Sequence, residues 1–244
     1  MSPRLALATA ARVLAQIRHD PRTVALLLLV PSLLIGLMAW IFVNTNEFEA
    51  LGPALLALFP FIIMFLITSI TTLRERRSGT LERLMTMPLG KFDFLIGYTL
   101  AFGLLAVIQS LIAVGYAVWV CGLTISGNPW LLILVAVANA VLGTTLGLFA
   151  SAFASTEFQV VQFMPALVFP QILLGGIFIP RSQMPDVLRS ISDWLPLSHS
   201  IEALQKVTAV SNATGTVFTE VGIVALWAVG FVIVGSLTLR RQTA

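Results

Sequence analysis

Residues 94–156 read FLIGYTLAFGLLAVIQSLIAVGYAVWVCGLTISGNPWLLILVAVANAVLGTTLGLFASAFAST, a stretch without a single Asp, Glu, Lys or Arg. A helix that crosses a bilayer needs about 20 apolar residues, and this window is about three times that length. Ser126-Gly127-Asn128-Pro129, near its middle, is turn chemistry and divides it into two spans.

Working outward, residues 23–46, 50–73, 158–180 and 221–239 are equally free of charged side chains. The fold class predicted is therefore all-α: a polytopic membrane protein with six transmembrane helices, expected at 22–46, 50–73, 93–124, 129–154, 158–180 and 217–240. Composition agrees, since 58% of the 244 residues are hydrophobic and 10% charged, whereas a soluble domain carries about a quarter charged residues. One membrane domain over 1–244 suits the length.

The net charge of +3 does not point to nucleic acid, because the basic residues flank apolar segments and so orient a membrane protein. With the N-terminus inside, only Arg181, Arg189 and Lys206 of the fourteen lysines and arginines fall outside. The positive-inside rule then places both termini in the cytoplasm of a multi-pass cell-membrane protein, expected in a bacterial inner or plasma membrane. Trp40, Trp119 and Trp130 sit at the predicted outer ends of spans, where interfacial indoles belong. The first twenty residues lack the continuous apolar core of a signal peptide. Cys121, the single cysteine, excludes an internal disulfide and a cysteine-based metal site.

Two segments are amphipathic rather than spanning. In 4–20, Leu7, Ala10, Val13, Leu14 and Ile17 share one helical face while Arg4, Arg12, Arg18 and His19 project from the other. That pattern predicts an interfacial helix, ended by Asp20-Pro21. In the outer region 181–215, Met184, Val187, Leu188, Ile191, Trp194 and Leu195 repeat the stripe between Pro185 and Pro196, and a further helix is expected from Ser198 to about Ala209.

No phosphate loop, metalloprotease motif or nucleophile elbow occurs, so the chain reads as no enzyme: it has no catalytic residue and no metal ligand set, and binds no cofactor of its own. His199, between Ser198 and Ser200 and near Asp193, reads as a solvated loop histidine beside a helix cap. The spans hold no ionisable group of the kind ion-coupled carriers use near the midplane. Gln109 and Asn139 fall at similar depth on consecutive spans, so they are expected to pair. Pro31, Pro60, Pro165 and Pro170 bend their helices. The fifth span, with Phe163, Met164, Pro165, Phe169, Pro170 and Gln171, reads as an adaptable apolar pathway.

The strongest local signal is the basic loop after span two. Gly79 ends a helical run, Thr80 can cap a new one with Glu82 in its first turn, and Leu81, Leu84 and Met85 form an apolar knuckle closed by Pro88. Glu75-x-x-x-Gly79-Thr80-Leu81-Glu82-x-Leu84-x-x-x-Pro88 resembles the cytoplasmic coupling-helix motif of type-2 ABC-exporter permeases, here spanning 75–89. Gly175-Gly176-Ile177-Phe178-Ile179-Pro180, Pro185 and Leu195-Pro196-Leu197 are similar to that family's outer re-entrant region. Arg77 stands where the family often has an acid, and Leu195 where it usually has Asn.

The resemblance implies a non-catalytic permease subunit, closest in look to the drug-resistance branch, that exports an apolar or amphiphilic substrate. It implies a second permease copy or homologue and two copies of a separate ATPase, which bind ATP and Mg and dock at the coupling helix; lipids are its other partners. A polysaccharide or glycolipid export permease of the same family is the alternative. An intramembrane enzyme around His199 and a passive channel are rivals of other classes.

Overall fold

The computed structural model describes residues 3–45, 47–78, 91–211 and 214–238. Among these residues the chain forms nine α-helices and one short 3-10 turn, with no strand. Six of the helices are long and apolar enough to cross a membrane. This is a multi-pass membrane protein.

Helix α1 (Pro3–Arg18) lies against the start of α4. Its buried face is Ala6, Thr9, Ala10, Val13 and Ile17, a narrower stripe than the expected one, with Leu7 turned outward. Small residues win the protein-facing side because the approach is close: a Cβ on Gly97 of α4 would stand 2.6 Å from Thr9 Cβ and 2.8 Å from the Ala6 carbonyl oxygen.

Asp20 caps α2 (Pro21–Ile41), accepting from the Thr23 amide at 3.2 Å and the Thr23 hydroxyl at 2.6 Å. Those hydrogen bonds hold the Asp20 carboxyl below its ordinary range. Helix α3 (Glu47–Arg77) runs beyond the expected span at both ends. Helix α4 (Lys91–Trp119) stops earlier than residue 124, because an irregular connection with Gly122 at φ 74° intervenes. The Asn128 side chain then caps α5 (Pro129–Phe153) through the Trp130 amide at 2.9 Å.

Helices α3 and α5 form the centre of the bundle. Gly143 and Gly147, four residues apart on α5, press on the α3 backbone: a Cβ at either position would stand 2.5 Å from the Phe61 carbonyl oxygen and 2.6 Å from that of Phe65, respectively. Small residues at this spacing let two helices meet backbone to backbone, the packing that replaces the hydrophobic effect in lipid.

Gln109 and Asn139 do not pair with each other, contrary to expectation. Gln109 donates to the Leu27 carbonyl at 2.9 Å and Asn139 to the Ala57 carbonyl at 2.6 Å. Pro31 cannot supply the amide that Leu27 would normally bond four residues on, so Gln109 fills that vacancy. Asn139 bonds a carbonyl one residue past that of Leu56, the one Pro60 deprives of its donor.

The chain continues through α6 (Glu157–Leu174), the 3-10 turn (Arg181–Gln183), α7 (Asp186–Ser192), α8 (Pro196–Ala209) and α9 (Thr214–Thr238). Helix α8 is tucked against α3, α5 and α9, burying Leu197, Ile201, Ala203, Leu204 and Val207. The turn before α5 closes its C-terminal end, the Ser126 and Gly127 amides donating to Thr208 and Val207 carbonyls at 3.0 and 2.9 Å. The bundle thus has a foot, where α1, the end of α3 and the start of α4 meet, and an opposite end carrying α7 and α8. Trp40, Trp119 and Trp130 are exposed at that opposite end.

Candidate functional site

The foot is held by charge. Arg12 of α1 donates to Glu75 of α3 and, at 3.2 Å, to the Tyr98 hydroxyl of α4. The Glu75 side chain is only 3% exposed, and its partner Arg12 is 32% exposed. Arg12 therefore faces the protein, not the water its place on the helical wheel suggested. Two further arginines tie the same end of α3. Arg74 grips the Glu157 carboxylate with Nε at 2.7 Å and Nη2 at 3.0 Å, and Arg76 donates to the Ser151 carbonyl near the end of α5. The last turn of α3 is thereby fastened to α1, α4, α5 and α6.

Of the residues expected to meet an ATPase, Glu75 lies in this joint with its carboxylate turned inward. Gly79, Thr80, Leu81, Glu82, Leu84, Met85 and Pro88 lie outside the described residues.

Helix α6 carries the expected pathway residues. Pro165, Phe169 and Pro170 are exposed, and Phe163 and Met164 are half-buried. The two prolines deprive the Val161 and Ala166 carbonyls of their helical donors, and both residues lie on the exposed side with Gln162. Gln171 is buried instead: it donates to the Leu167 carbonyl at 2.9 Å and accepts from the Leu197 amide at 3.3 Å, capping the first turn of α8.

The glycines and prolines after α6 shape the hairpin. Gly175 ends the helix where a Cβ would stand 2.5 Å from the Gln171 carbonyl oxygen, and Gly176 takes φ 85°. Pro180 precedes the 3-10 turn, Pro185 caps α7, and Pro196 opens α8.

An open cavity of about 530 Å³ lies beside this hairpin, with Arg181, Arg189, Asp193, Glu202, Lys206 and Glu220 among its lining residues. Arg181 pairs with both Asp193 and Glu202. Lys206 reaches Glu202 at 2.6 Å and Glu220 at 3.7 Å. His199 is 6% exposed, a correction to the solvated loop histidine expected; it sits inside α8, bonded to Glu220 of α9 at 2.5 Å and to the Asp193 carbonyl at 2.9 Å. Among the described residues no His, Cys, Asp and Glu side chains gather as a metal site.

Comparison with known proteins decides the family. The profile of the ABC-2 type transporter family matches residues 5–208. The chain belongs to that family. The match runs from α1 to the last turn of α8, so the foot, the central pair and the hairpin of this ABC-2 type transporter chain all fall within it, while α9 lies beyond.

Curated relatives include ABC transporter G family member 20 of Dictyostelium discoideum, 24% identical over 82% of this chain and 28% of its own length. Probable multidrug ABC transporter permease YbhR of Escherichia coli is 26% identical over 64% of this chain and 42% of its own. Probable multidrug ABC transporter permease YbhS of the same organism is 24% identical over 78% and 51%, respectively. The ABC-2 type chain thus spans between about a quarter and a half of these relatives.

The features that sequence reading missed in this ABC-2 type transporter chain are partnerships across long separations: Arg12 with Glu75, Arg74 with Glu157, His199 with Glu220. Charge in an otherwise apolar sequence was the available signal, since an ionised group near a membrane span requires a partner.

Proposed function

We propose that this chain is the membrane-spanning subunit of an ATP-driven exporter, and that the segment 79–88 docks on a separate ATPase subunit. The observation that carries this reading is the charged joint at the foot of α3. A load applied just beyond Arg77 reaches α1 through Arg12, α5 through Arg76 and α6 through Arg74, so one displaced segment moves several helices together. In this reading Glu75 is part of the lever, not part of the docking surface.

Two copies of the ATPase supply ATP and Mg, and the foot faces the cytoplasm. A second permease copy completes the pathway against α6, whose exposed Gln162 and proline-freed carbonyls suit a protein or cavity lining better than lipid. Phe163, Met164 and Phe169 on that helix favour an apolar or amphiphilic substrate. The bacterial relatives named as probable multidrug ABC transporter permeases point the same way.

The docking claim is tested with Leu81→Ala combined with Leu84→Ala. Each buried leucine contributes about 1.5–3 kcal/mol, so the pair weakens ATPase binding about a hundredfold or more. Membrane insertion and permease dimerisation remain intact, while co-purification of the ATPase and substrate-stimulated hydrolysis in nanodiscs are lost. Normal values of both in the double variant overturn the proposal.

A further inference from the structure

The two contacts of His199 fix its protonation state by geometry. Nε2 lies 2.9 Å from the Asp193 carbonyl oxygen, which can only accept, and Nδ1 lies 2.5 Å from Glu220 Oε2. Glu220 also ion-pairs with Lys206 at 3.7 Å, which keeps its carboxylate ionised, with no proton to give. Both ring nitrogens must therefore donate, which a neutral imidazole cannot do.

Those two contacts join three segments: the end of α7, the first turn of α8 and the start of α9. The remaining charges around the ring form a chain of their own. Arg181 from the 3-10 turn holds Asp193 and Glu202, Lys206 holds Glu202, and Arg189 of α7 lines the same cavity. Two polar routes run from the hairpin to α9: one through the His199 ring, and one through Arg181, Glu202 and Lys206, whose last step to Glu220 is the longer at 3.7 Å.

We propose that His199 is the titrating pin of a latch that fastens the hairpin of residues 181–195 to α9, closed while its ring carries two protons and released when it loses one. Loss of a proton leaves either the Glu220 carboxylate or the Asp193 carbonyl without its donor. The Asp193 corner of the hairpin then loosens from α9 and the 530 Å³ cavity widens.

The direction of the pH effect follows. The hydrogen bond that His199 donates to Glu220 raises its pKa above the ordinary value, against the opposing pull of burial, with a smaller contribution from the Asp193 carbonyl. A raised pKa means that the stabilising contribution is fully present below the unfolded value of about 6.5 and is lost as pH rises through the folded one. Acid closes the latch and base opens it.

The latch is tested without the ATPase, so its failure is separate from that of the transport reading. The protein has two histidines, His19 and His199. A His19→Gln variant carrying 15N-histidine in nanodiscs therefore reports His199 alone by NMR. Both ring nitrogens are expected to be protonated at pH 6, with one proton lost at a pH above the midpoint of free histidine. A ring with a single protonated nitrogen at pH 6 overturns the proposal.

Motion is read by double electron–electron resonance between spin labels at Ser190 and Thr219 on a Cys121→Ala background. The distance lengthens or broadens between pH 5 and pH 9, and His199→Gln holds the high-pH distribution throughout. An invariant distance in the parent, or an unchanged pH response in His199→Gln, also overturns it. Glu220→Gln removes the pH response by a second route, so a folding defect in one variant does not leave the test open.

Discussion

Arg12 and Glu75, 63 residues apart in sequence, form an ion pair whose carboxylate is almost wholly buried. Removing one member strands the other. Breaking a fully buried pair costs about 3–5 kcal/mol; Arg12 is a third exposed to water, which lowers this to about 2 kcal/mol. Arg12→Ala should lower the thermal midpoint in detergent by about 4–8 °C. Arg12→Met with Glu75→Leu should recover part of that loss, because no charge is then left uncompensated. A double variant no more stable than Arg12→Ala would refute the account.

The bond from Gln109 to Leu27 predicts a specific non-additivity. Gln109→Leu should cost about 1 kcal/mol, the range of hydrogen bonds between membrane helices. In a Pro31→Ala background the Leu27 carbonyl regains a donor within its own helix, so the same change should cost less. Equal losses in both backgrounds, measured by denaturation in mixed micelles, would show that the two residues act independently.

Gly143 offers a steric test with an internal control. Gly143→Ala sets a methyl group 2.5 Å from a backbone oxygen of α3, and overpacking of this kind costs about 1–3 kcal/mol. Gly103→Ala, in α4, meets nothing within 4 Å and should be neutral or slightly stabilising through helix propensity. A thermal midpoint that falls for the first and not the second is the expected result.

Orientation is open to direct labelling. On a Cys121→Ala background, a cysteine at Ser182 should react with an impermeant maleimide in intact cells, and one at Ser78 only after the membrane is broken. Both positions are exposed, so burial does not confuse the comparison. The reverse pattern would invert the proposed topology and with it the side on which the ATPase binds.

What could be read from the sequence follows from the range of the signals. The six spans were legible because their evidence is local, in uninterrupted apolar windows. Asp20-Pro21 and Asn128-Pro129 were legible because caps and turns are written in adjacent residues. Arg12 was misread because a helical wheel knows only its own helix: opposite to Val13 and Ile17, it should meet water, yet Glu75 draws it inward. His199 was misread for the same reason, its acceptor arriving on a different helix. Gln109 and Asn139 were read with the wrong partners, since their acceptors are backbone atoms and carry no residue signature. Gly143 and Gly147 drew no reading from the sequence, because two glycines four apart gain meaning only from the helix that lies opposite.

The donors supplied by Gln109 and Asn139 also bear on how the chain is assembled. Both helices that receive them, α2 and α3, emerge from the ribosome before the helices that give them, α4 and α5. Until α4 enters the bilayer, the Leu27 carbonyl has no donor within its own helix, and such a group in hydrocarbon costs several kcal/mol. The first span is thus chemically unfinished on its own and becomes complete only when α4 arrives. The order of synthesis gives α2 a reason to wait near the translocon or a chaperone until α4 brings the Gln109 donor.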